Sequence, residues 1–166
     1  MNKDAFSGPH GHDFSNLAEV LLRYRDDKIV YVPNPGNVGD ALIAFGAYLL
    51  FERLGLDVEN GRKDAVYPGR VVIFGGGGAM IGRYPDADEF LRNNHAVCKA
   101  LVLLPHTVRA YGDLLSTMDA RCTIFAREQP TMAFIQTHCT GGAQTMLGHD
   151  LAFFVSRNDL MTEPWD

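Results

Sequence analysis

Polar side chains that can bind an anion or move a proton follow the ends of successive apolar segments in this sequence. Arginine binds carboxylate and phosphate groups through paired hydrogen bonds, histidine exchanges protons near neutral pH, and a carboxylate accepts a hydroxyl proton. Glycine lets a ligand lie against bare backbone. These residues predict a site for a small anion with acidic and basic groups beside it. The candidates for ligand binding are Asn37, Gly39, Gly75, Gly76, Gly77, Arg109, Arg127, Glu128 and His149, and the candidates for proton transfer are Asp40, His106 and Asp150.

Several of these candidates also have an ordinary structural interpretation. Asp40 either holds a substrate hydroxyl or, like Asn37, caps the helix that follows it. His106 comes directly after Pro105, where it either transfers protons or only ends a strand. The remaining structural alternatives are a surface ion pair for Arg127 with Glu128 and a turn cap for His149 with Asp150.

The unit that organises these residues is a strand, a glycine-containing turn and a helix. Apolar residues 29–32 predict the strand, and the turn at 33–40 leads into a helix predicted at 41–54. The start of a helix offers unpaired N–H groups and the positive end of its dipole, so the turn predicts an anion pocket. Gly46 lies in mid-helix, where glycine is about 1 kcal/mol less favourable than alanine. We therefore expect another backbone segment to pass close to Gly46.

Short apolar segments alternate with helical periodicities along the rest of the chain. The apolar segment 151–155 is compatible with either strand or helix. The glycines after the predicted strand 70–74 do not have GxGxxG spacing, so a dinucleotide site is not indicated. We predict the further strands at 70–74, 100–104, 122–126 and 144–147, and the further helices at 14–25, 86–99, 109–118 and from Pro130 onward.

This alternation predicts an α/β fold, a three-layer Rossmann-like parallel sheet with helices on both faces. Right-handed crossovers place the carboxyl ends of all parallel strands along one edge of the sheet. The ligand of an open α/β sheet binds in the crevice at that edge. We therefore expect the candidate side chains to meet there, although they are distant in sequence.

The composition is that of an ordinary globular protein. The chain has 166 residues, of which 46% are hydrophobic and 21% charged. This length suits one α/β domain, predicted at 14–166 after a flexible arm at 1–13. The formal net charge of -5 argues against a nucleic-acid partner. His10 and His12 of the arm lack a third ligand, so no metal site is predicted.

The sequence predicts a cytoplasmic protein without a membrane-spanning segment. Its first 25 residues lack the apolar core of a signal peptide. The longest apolar run, at 41–51, is shorter than the roughly 20 residues that span a bilayer. Cys98, Cys122 and Cys139 form no CxxC pair, and we expect them to be reduced.

The motifs resemble, in order and spacing over residues 28–155, those of the polysaccharide pyruvyl transferase family. The resemblance implies a fold similar to one domain of the GT-B-like two-domain transferases. It also implies transfer of a pyruvyl group from phosphoenolpyruvate to a sugar of a bacterial surface polysaccharide. The motifs are Pro35-Gly36-Asn37-Val38-Gly39-Asp40 with Ile43, Val72-Ile73-Phe74-Gly75-Gly76-Gly77, Leu104-Pro105-His106-Thr107, Phe125-Ala126-Arg127-Glu128 and His149-Asp150-Leu151-Ala152-Phe153.

The resemblance implies a saccharide acceptor and phosphoenolpyruvate as a small anionic donor, with no cofactor and no metal. Arg109 and Arg127 are then the cations for the donor. Members of the family usually carry a second α/β domain, so this chain is either a fragment or a minimal relative, completed by a partner domain or by forming a homo-oligomer. Two other functions fit the same residues, namely half of a sugar-nucleotide glycosyltransferase and a non-catalytic glycan- or anion-binding module.

Overall fold

The computed structural model describes residues 6–9, 11–34 and 36–161. Its centre is a sheet of seven parallel strands. The strands are β1 (Ile29–Val32), β2 (Val58–Asn60), β3 (Val71–Phe74), β4 (Gly77–Met80), β5 (Ala100–Val108), β6 (Cys122–Ala126) and β7 (Gln144–Leu147). The helices are α1 (Ser15–Leu22), α2 (Val38–Leu54), α3 (Pro85–Asn94), α4 (Gly112–Thr117) and α5 (Gln129–His138), with a 3-10 helix at Leu151–Phe154.

The strands in the middle of the sheet consist of consecutive apolar residues because both faces of the sheet are covered. Every residue of β1, β3 and β6 is buried. Ile29 and Tyr31 pack with α1, α2 and the 3-10 helix on one face. Val30 and Val32 pack with α3, α4 and α5 on the other face. The predicted three-layer Rossmann-like sheet is confirmed.

The order of the strands creates a crevice at one edge of the sheet. The order is β2-β1-β3-β5-β6-β7, and β4 pairs with the end of β5 beside β3. The chain places β2 on one side of β1 and then returns to place β3 on the other side. Because the connections after β1 and β3 diverge at this reversal, a crevice opens at the carboxyl ends of these two strands.

Gly46 in α2 lies where the 3-10 helix packs against that helix. A Cβ atom on Gly46 would be 2.0 Å from the carbonyl oxygen of Leu151. The prediction that another backbone segment passes close to Gly46 is confirmed. The contact joins the segment after β7, in which Asp150 lies, to the helix that begins at the predicted anion pocket.

Strand β5 is longer than the sequence predicts. The expected strand ends at residue 104, but parallel pairing continues to Val108, with an irregular register between Leu103 and His106. The irregularity accommodates Pro105, which has no N–H to donate, and Gly77 of β4 pairs with His106 on the far side. The prediction that Pro105-His106-Thr107 ends the strand is therefore wrong. His106 lies inside the sheet.

The described part of the predicted flexible arm, 1–13, packs on the domain. Phe6 is buried in the core, and Ser7 forms an antiparallel bridge with Asp13. These residues do not extend away from the domain as a loose arm would. His10 lies outside the described residues, and the domain boundary at residue 13 stays a prediction.

Candidate functional site

A cleft of about 510 Å³ lies at the carboxyl ends of β1 and β3, where the strand order reverses, and extends along β4. Sites for small molecules typically enclose roughly 300–1,000 Å³, so the cleft is large enough for an organic acid or a sugar. Its walls come from the β1–α2 turn, from β4 and the loop after it, and from single residues of other connections. The lining residues are Asn34, Gly36, Asn37, Gly39, Asp40, Ile43, Lys63, Gly78, Ala79, Ile81, Tyr84, Asp86, Ala87 and Arg127.

The β1–α2 wall of the cleft is held by residues that are close in sequence. The Asn37 N–H donates to Asp40 Oδ2 at 2.9 Å, and the Gly39 N–H donates to Asn37 Oδ1 at 2.7 Å. Asn37 and Asp40 thus cap the N terminus of α2 reciprocally, as their structural interpretation predicted. Asn37, Gly39 and Asp40 also line the cleft. Pro35 of this turn lies outside the described residues.

The first two glycines of the run 75–78 are buried against neighbouring backbone. A Cβ atom on Gly75 would lie 2.5 Å from the backbone nitrogen of Asn34, and one on Gly76 would lie 2.8 Å from the carbonyl oxygen of Pro105. Neither glycine lines the cleft. Their absent side chains let β1, β4 and β5 approach closely, and a direct role in binding a ligand stays a prediction.

The next two glycines face the charged residues of the cleft. A Cβ atom on Gly77 would lie 2.9 Å from Asp40 Oδ1. At Gly78 the nearest atom to a Cβ would be Arg127 Nη2, at 3.8 Å. Gly78, which was not among the predicted site residues, lines the cleft, whereas Gly77 does not.

Arg127, the first residue after β6, forms a second wall of the cleft, which we name the Arg127 wall. Its Nε donates to Thr107 Oγ1 at 2.7 Å, and its Nη1 donates to Asp150 Oδ2 at 2.8 Å. The other oxygen of Asp150 accepts from the Ala152 N–H at 2.9 Å, which fixes the carboxylate at the start of the 3-10 helix. Within the described part of the chain, Nη2 has no hydrogen-bond partner. Nε also lies 3.4 Å from Glu128 Oε2, so the ion pair of Arg127 with Glu128 that the sequence offered as a structural alternative is present. The guanidinium is thus held through Nε and Nη1, and Nη2 lies beside the cleft residue Gly78.

Glu128 and Arg109 lie behind Arg127 and do not line the cleft. Glu128 accepts hydrogen bonds from Thr107 Oγ1 and from Arg109 Nη2, each at 3.1 Å, and from Thr131. Partial burial by itself would raise the pKa of Glu128, but the hydrogen bonds from Thr131 and Thr107 and the charges of Arg127 and Arg109 lower it overall. Glu128 therefore stays ionised as the centre of a structural network. The predicted ligand contacts of Arg109 and Glu128 stay predictions.

His106 is fully buried in β5 and does not line the cleft. Its ring stacks on Phe74 with centroids 5.6 Å apart, and Nδ1 lies 3.0 Å from the Leu104 carbonyl oxygen. Because a carbonyl only accepts, Nδ1 carries the proton and Nε2 presents a lone pair. Burial lowers the pKa of His106 to about 4. The ring is therefore neutral at neutral pH and has no proton on Nε2 to donate, which does not favour the acid half of its predicted proton-transfer role. That role as a whole stays a prediction.

His149 and Asp150 are adjacent in sequence but contact different parts of the molecule. The ring of His149 lies beside the rings of His12, at 4.6 Å, and Phe14, at 5.9 Å, on the α1 side of the sheet. Asp150 binds Arg127 and does not line the cleft. Of the predicted site residues, the structure brings Asn37, Gly39, Asp40 and Arg127 together in the cleft, and it places Asp150 one contact away.

Sequence reasoning missed several cleft residues that lie in connections between elements. Lys63 of the β2–β3 connection forms an ion pair with Asp86 in the first turn of α3. Tyr84 comes just before α3, and Asn34 comes two residues after the end of β1. Asn34 could have been found, because it stands at a predicted strand end. No local pattern reveals that Lys63, Tyr84 or Asp86 reaches the cleft.

The described residues also lack two other features. Within 6–9, 11–34 and 36–161, no three histidine, cysteine, aspartate or glutamate side chains are grouped so that they could hold a metal ion. In the same part of the chain, no helix combines the length and the apolar character needed to cross a bilayer.

Comparisons with known proteins agree with the resemblance of the motifs. The model of a family described as polysaccharide pyruvyl transferase matches residues 37–164, which include Asn37, Gly39 and Asp40 of the β1–α2 wall and the Arg127 wall. A crystal structure of a functionally uncharacterised protein from Klebsiella pneumoniae is 28% identical and superimposes with a TM-score of 0.75. That similarity covers 95% of this chain but 59% of the Klebsiella protein. The search of curated proteins found no match.

Proposed function

Because the chain belongs to the polysaccharide pyruvyl transferase family, we propose that its cleft binds phosphoenolpyruvate and takes part in transferring the pyruvyl group to a saccharide. The family match covers most of the chain and all of the residues that line the cleft except Asn34 and Gly36. The chain spans 59% of the length of the Klebsiella protein, so the donor, the acceptor and the complete reaction all belong to this proposal.

The observation that carries the proposal is the Arg127 guanidinium, which is held by Thr107 and Asp150 with Nη2 left over beside the cleft. Phosphoenolpyruvate carries a carboxylate and a phosphate, and arginine is well suited to either group. The N terminus of α2 lines the same cleft and favours a second anionic group. One cleft thus offers two different places for the two anionic ends of the donor.

The reaction requires a defined movement of protons. Protonation of the methylene carbon of phosphoenolpyruvate makes a methyl group and a cation-like centre, which a sugar hydroxyl attacks. The bond from this carbon to the phosphate oxygen then breaks, phosphate leaves, and a second hydroxyl of the sugar attacks to close a ketal. One of the two hydroxyl protons replaces the proton consumed at the methylene carbon, and the other leaves with the phosphate. An acid and a base are therefore needed.

Among the candidates for proton transfer, Asp40 is the residue that lines the cleft. We assign it the role of accepting a hydroxyl proton through Oδ1, because Oδ2 already accepts the Asn37 N–H. Asp150 is engaged by Arg127 and by the Ala152 N–H, so we assign it the task of holding the guanidinium rather than that of a base.

Ligand binding by the purified chain tests the proposal. We would measure dissociation constants by calorimetry for phosphoenolpyruvate, with inorganic phosphate and pyruvate as fragments of the donor, and with UDP-glucose and GDP-mannose as nucleotide sugars. We expect phosphoenolpyruvate to bind more tightly than either fragment, because two anionic groups are recognised together. Binding of the nucleotide sugars alone would assign the chain to glycosyl transfer instead.

Phosphate release separates catalysis from binding. The chain would be mixed with phosphoenolpyruvate and a methyl glycoside, and inorganic phosphate would be measured over time. Release that depends on the glycoside supports transfer by this chain alone. If both substrates bind but no phosphate appears, the chain is the binding half of a larger enzyme or a non-catalytic module.

A further inference from the structure

We propose that Tyr84, Asp86 and Lys63 form a subsite for a pyranose, which we name the acceptor lip. In this subsite the Tyr84 ring stacks on the C–H face of the sugar, while Asp86 and Lys63 bind its hydroxyls. The inference rests on the proposed function, since it states where the acceptor of that reaction binds. Its test nevertheless has a readout independent of the donor.

The Tyr84 side chain is an exposed aromatic ring at a concave surface. Tyr84 lines the cleft and is 55% exposed, and its neighbour Ile81 lines the cleft and is 37% exposed. Tyrosine presents a flat apolar face together with a polar hydroxyl. One face of a pyranose is likewise apolar, because its axial C–H groups point to the same side. An exposed ring inside a cleft is therefore a suitable platform for a sugar.

Asp86 and Lys63 supply the polar groups beside this ring. They form an ion pair, with side chains 60% and 38% exposed respectively. A sugar hydroxyl both donates and accepts, so it can donate to the carboxylate while another hydroxyl accepts from the ammonium group. Because the two charges cancel, the acceptor lip suits a neutral ligand. The Arg127 guanidinium is also paired, with Asp150 at 2.8 Å and with Glu128 at 3.4 Å, but its Nη2 has no hydrogen-bond partner among the described residues.

The backbone of the acceptor lip is held in place by residues at the start of α4. The Tyr111 hydroxyl donates to the Tyr84 carbonyl oxygen at 3.1 Å. Tyr111 itself has a φ of 65°, a left-handed conformation that non-glycine residues adopt rarely and that the surrounding structure must hold in place. Arg92 of α3 also binds Asp88 at 2.9 Å and Asp113 of α4 at 2.7 Å. The ring is thus presented from a fixed backbone, which reduces the entropy lost when a ligand binds.

Formation of a ketal also requires a surface that orients the acceptor sugar. Both oxygens of the ketal come from one sugar, so the acceptor must be oriented as a whole ring. A stacking surface fixes the plane of the ring, and the ion pair fixes its rotation within that plane. A single hydrogen bond to one hydroxyl would fix neither the plane of the sugar ring nor its rotation.

Saturation-transfer NMR tests the acceptor lip without depending on turnover. The probes are methyl β-galactoside, methyl β-glucoside and methyl N-acetyl-β-mannosaminide, each measured with wild type, Tyr84→Ala, Tyr84→Phe and Asp86→Asn. We expect at least one glycoside to receive saturation at the C–H protons of one face. We expect its affinity to fall about tenfold in Tyr84→Ala and to be kept in Tyr84→Phe, because the ring remains. Asp86→Asn should weaken binding without changing which protons are saturated.

The phosphoenolpyruvate dissociation constant and the thermal midpoint of each variant distinguish the outcomes. The inference is supported if Tyr84→Ala loses glycoside binding but keeps its thermal midpoint and its affinity for phosphoenolpyruvate. It is overturned if no glycoside binds to wild type, if Tyr84→Ala binds as wild type does, or if both ligands are lost together. Tyr84-dependent glycoside binding by a wild type that does not bind phosphoenolpyruvate would overturn the proposed donor and leave the acceptor lip supported.

Discussion

The two charged walls of the cleft are built in different ways. The β1–α2 wall is held by hydrogen bonds between residues two and three positions apart in sequence. The Arg127 wall is held by hydrogen bonds to residues 20 and 23 positions away. The first wall forms whenever the start of α2 forms, whereas the second exists only after β5, β6 and the segment after β7 have come together. A change that loosens the sheet should therefore harm anion binding at Arg127 before it harms the helix cap.

The two walls are joined at one point in the fold. The 3-10 helix that starts after Asp150 packs on α2, which starts beside Asn37. Gly46 makes this contact possible, because its missing Cβ leaves room for the Leu151 carbonyl. One substitution can therefore disturb the β1–α2 wall and the Arg127 wall together, whereas others disturb only one of them.

Gly46→Ala should have the largest effect, because it disturbs both walls. Helix propensity alone would make alanine more stable by about 1 kcal/mol. The clash with Leu151 should outweigh this gain, so that the free energy of unfolding falls by about 3 kcal/mol. Urea denaturation measures this loss. The matched control is Gly78→Ala, whose Cβ would have no atom within 3.8 Å, and which should change stability by less than about 0.5 kcal/mol. An increase in stability for Gly46→Ala would contradict the close packing.

The pH dependence of stability tests whether His106 is buried and neutral beneath the two walls. The pKa of His106 is lowered from 6.5 to about 4, chiefly by burial, while the charges of Arg127, Asp150 and Asp40 act on it as well. In the unfolded chain His106 binds a proton near pH 6.5, whereas in the folded chain it does not until about pH 4. The contribution of His106 to the free energy of unfolding is therefore constant above about pH 6.5 and falls as the pH drops toward 4. The loss should reach about 3 kcal/mol. Urea denaturation as a function of pH would show this slope.

His106→Gln provides the comparison, because it removes the titrating group while the other groups remain. The slope between pH 6.5 and 4 should be smaller in this variant than in wild type. An NMR titration of the His106 ring in wild type provides a direct measurement that does not depend on the variant folding. A ring that is protonated at pH 6 would contradict the buried, neutral state.

Arg127→Ala should remove the anion site of the Arg127 wall and leave the β1–α2 wall intact. We expect affinity for phosphoenolpyruvate to fall about 10- to 100-fold, the usual loss when a hydrogen bond to a charged group is removed. Arg127→Lys is the matched control, and it should recover only part of the affinity, because lysine has charge without the planar fork. Calorimetry measures both variants, and circular dichroism verifies their folding. Full affinity in Arg127→Ala would remove the basis of the proposed donor site.

Asp40→Ala should have the smallest effect on the fold, because it disturbs only the local wall. Loss of the cap should lower the free energy of unfolding by about 1 kcal/mol. Asp40→Asn keeps an oxygen that can accept the Asn37 N–H, so it should retain most of the stability. It removes the carboxylate, however, and should therefore slow phosphate release if Asp40 accepts a proton. Equal loss of stability in both variants, with normal phosphate release, would restrict Asp40 to capping.

Much of the fold was predictable because its signals are local. The strands 29–32, 122–126 and 144–147 have the predicted bounds. The first two are fully buried, and a buried strand is a short apolar run with polar residues at both ends. The third is partly exposed and lies between the glycines at 141–142 and 148. The cap at Asn37 was predictable because it joins residues three positions apart. The prediction failed at Pro105, where pairing with β4 carries β5 past a residue that normally interrupts a strand.

The candidate site was less predictable, because its parts come from different strands. The sequence indicated that Arg127 and Asp150 would reach the same edge, but not that they would bind each other. It also indicated a proton-transfer role for His106, which the structure buries. Lys63 and Tyr84 carry no local signal, because connections between elements have no periodicity that shows which way they turn.

The sequence by itself determined most of the strands, the presence of the helices and the capped turn after β1, because these depend on apolar runs and on contacts between near neighbours. It did not indicate β4, which follows β3 after two glycines and was not among the predicted strands. The tertiary structure alone decided the partners of Arg127, the neutral state of His106 and the residues of the acceptor lip. These depend on strand register and on the packing of distant segments, which place side chains from separate parts of the chain within a few ångströms of each other.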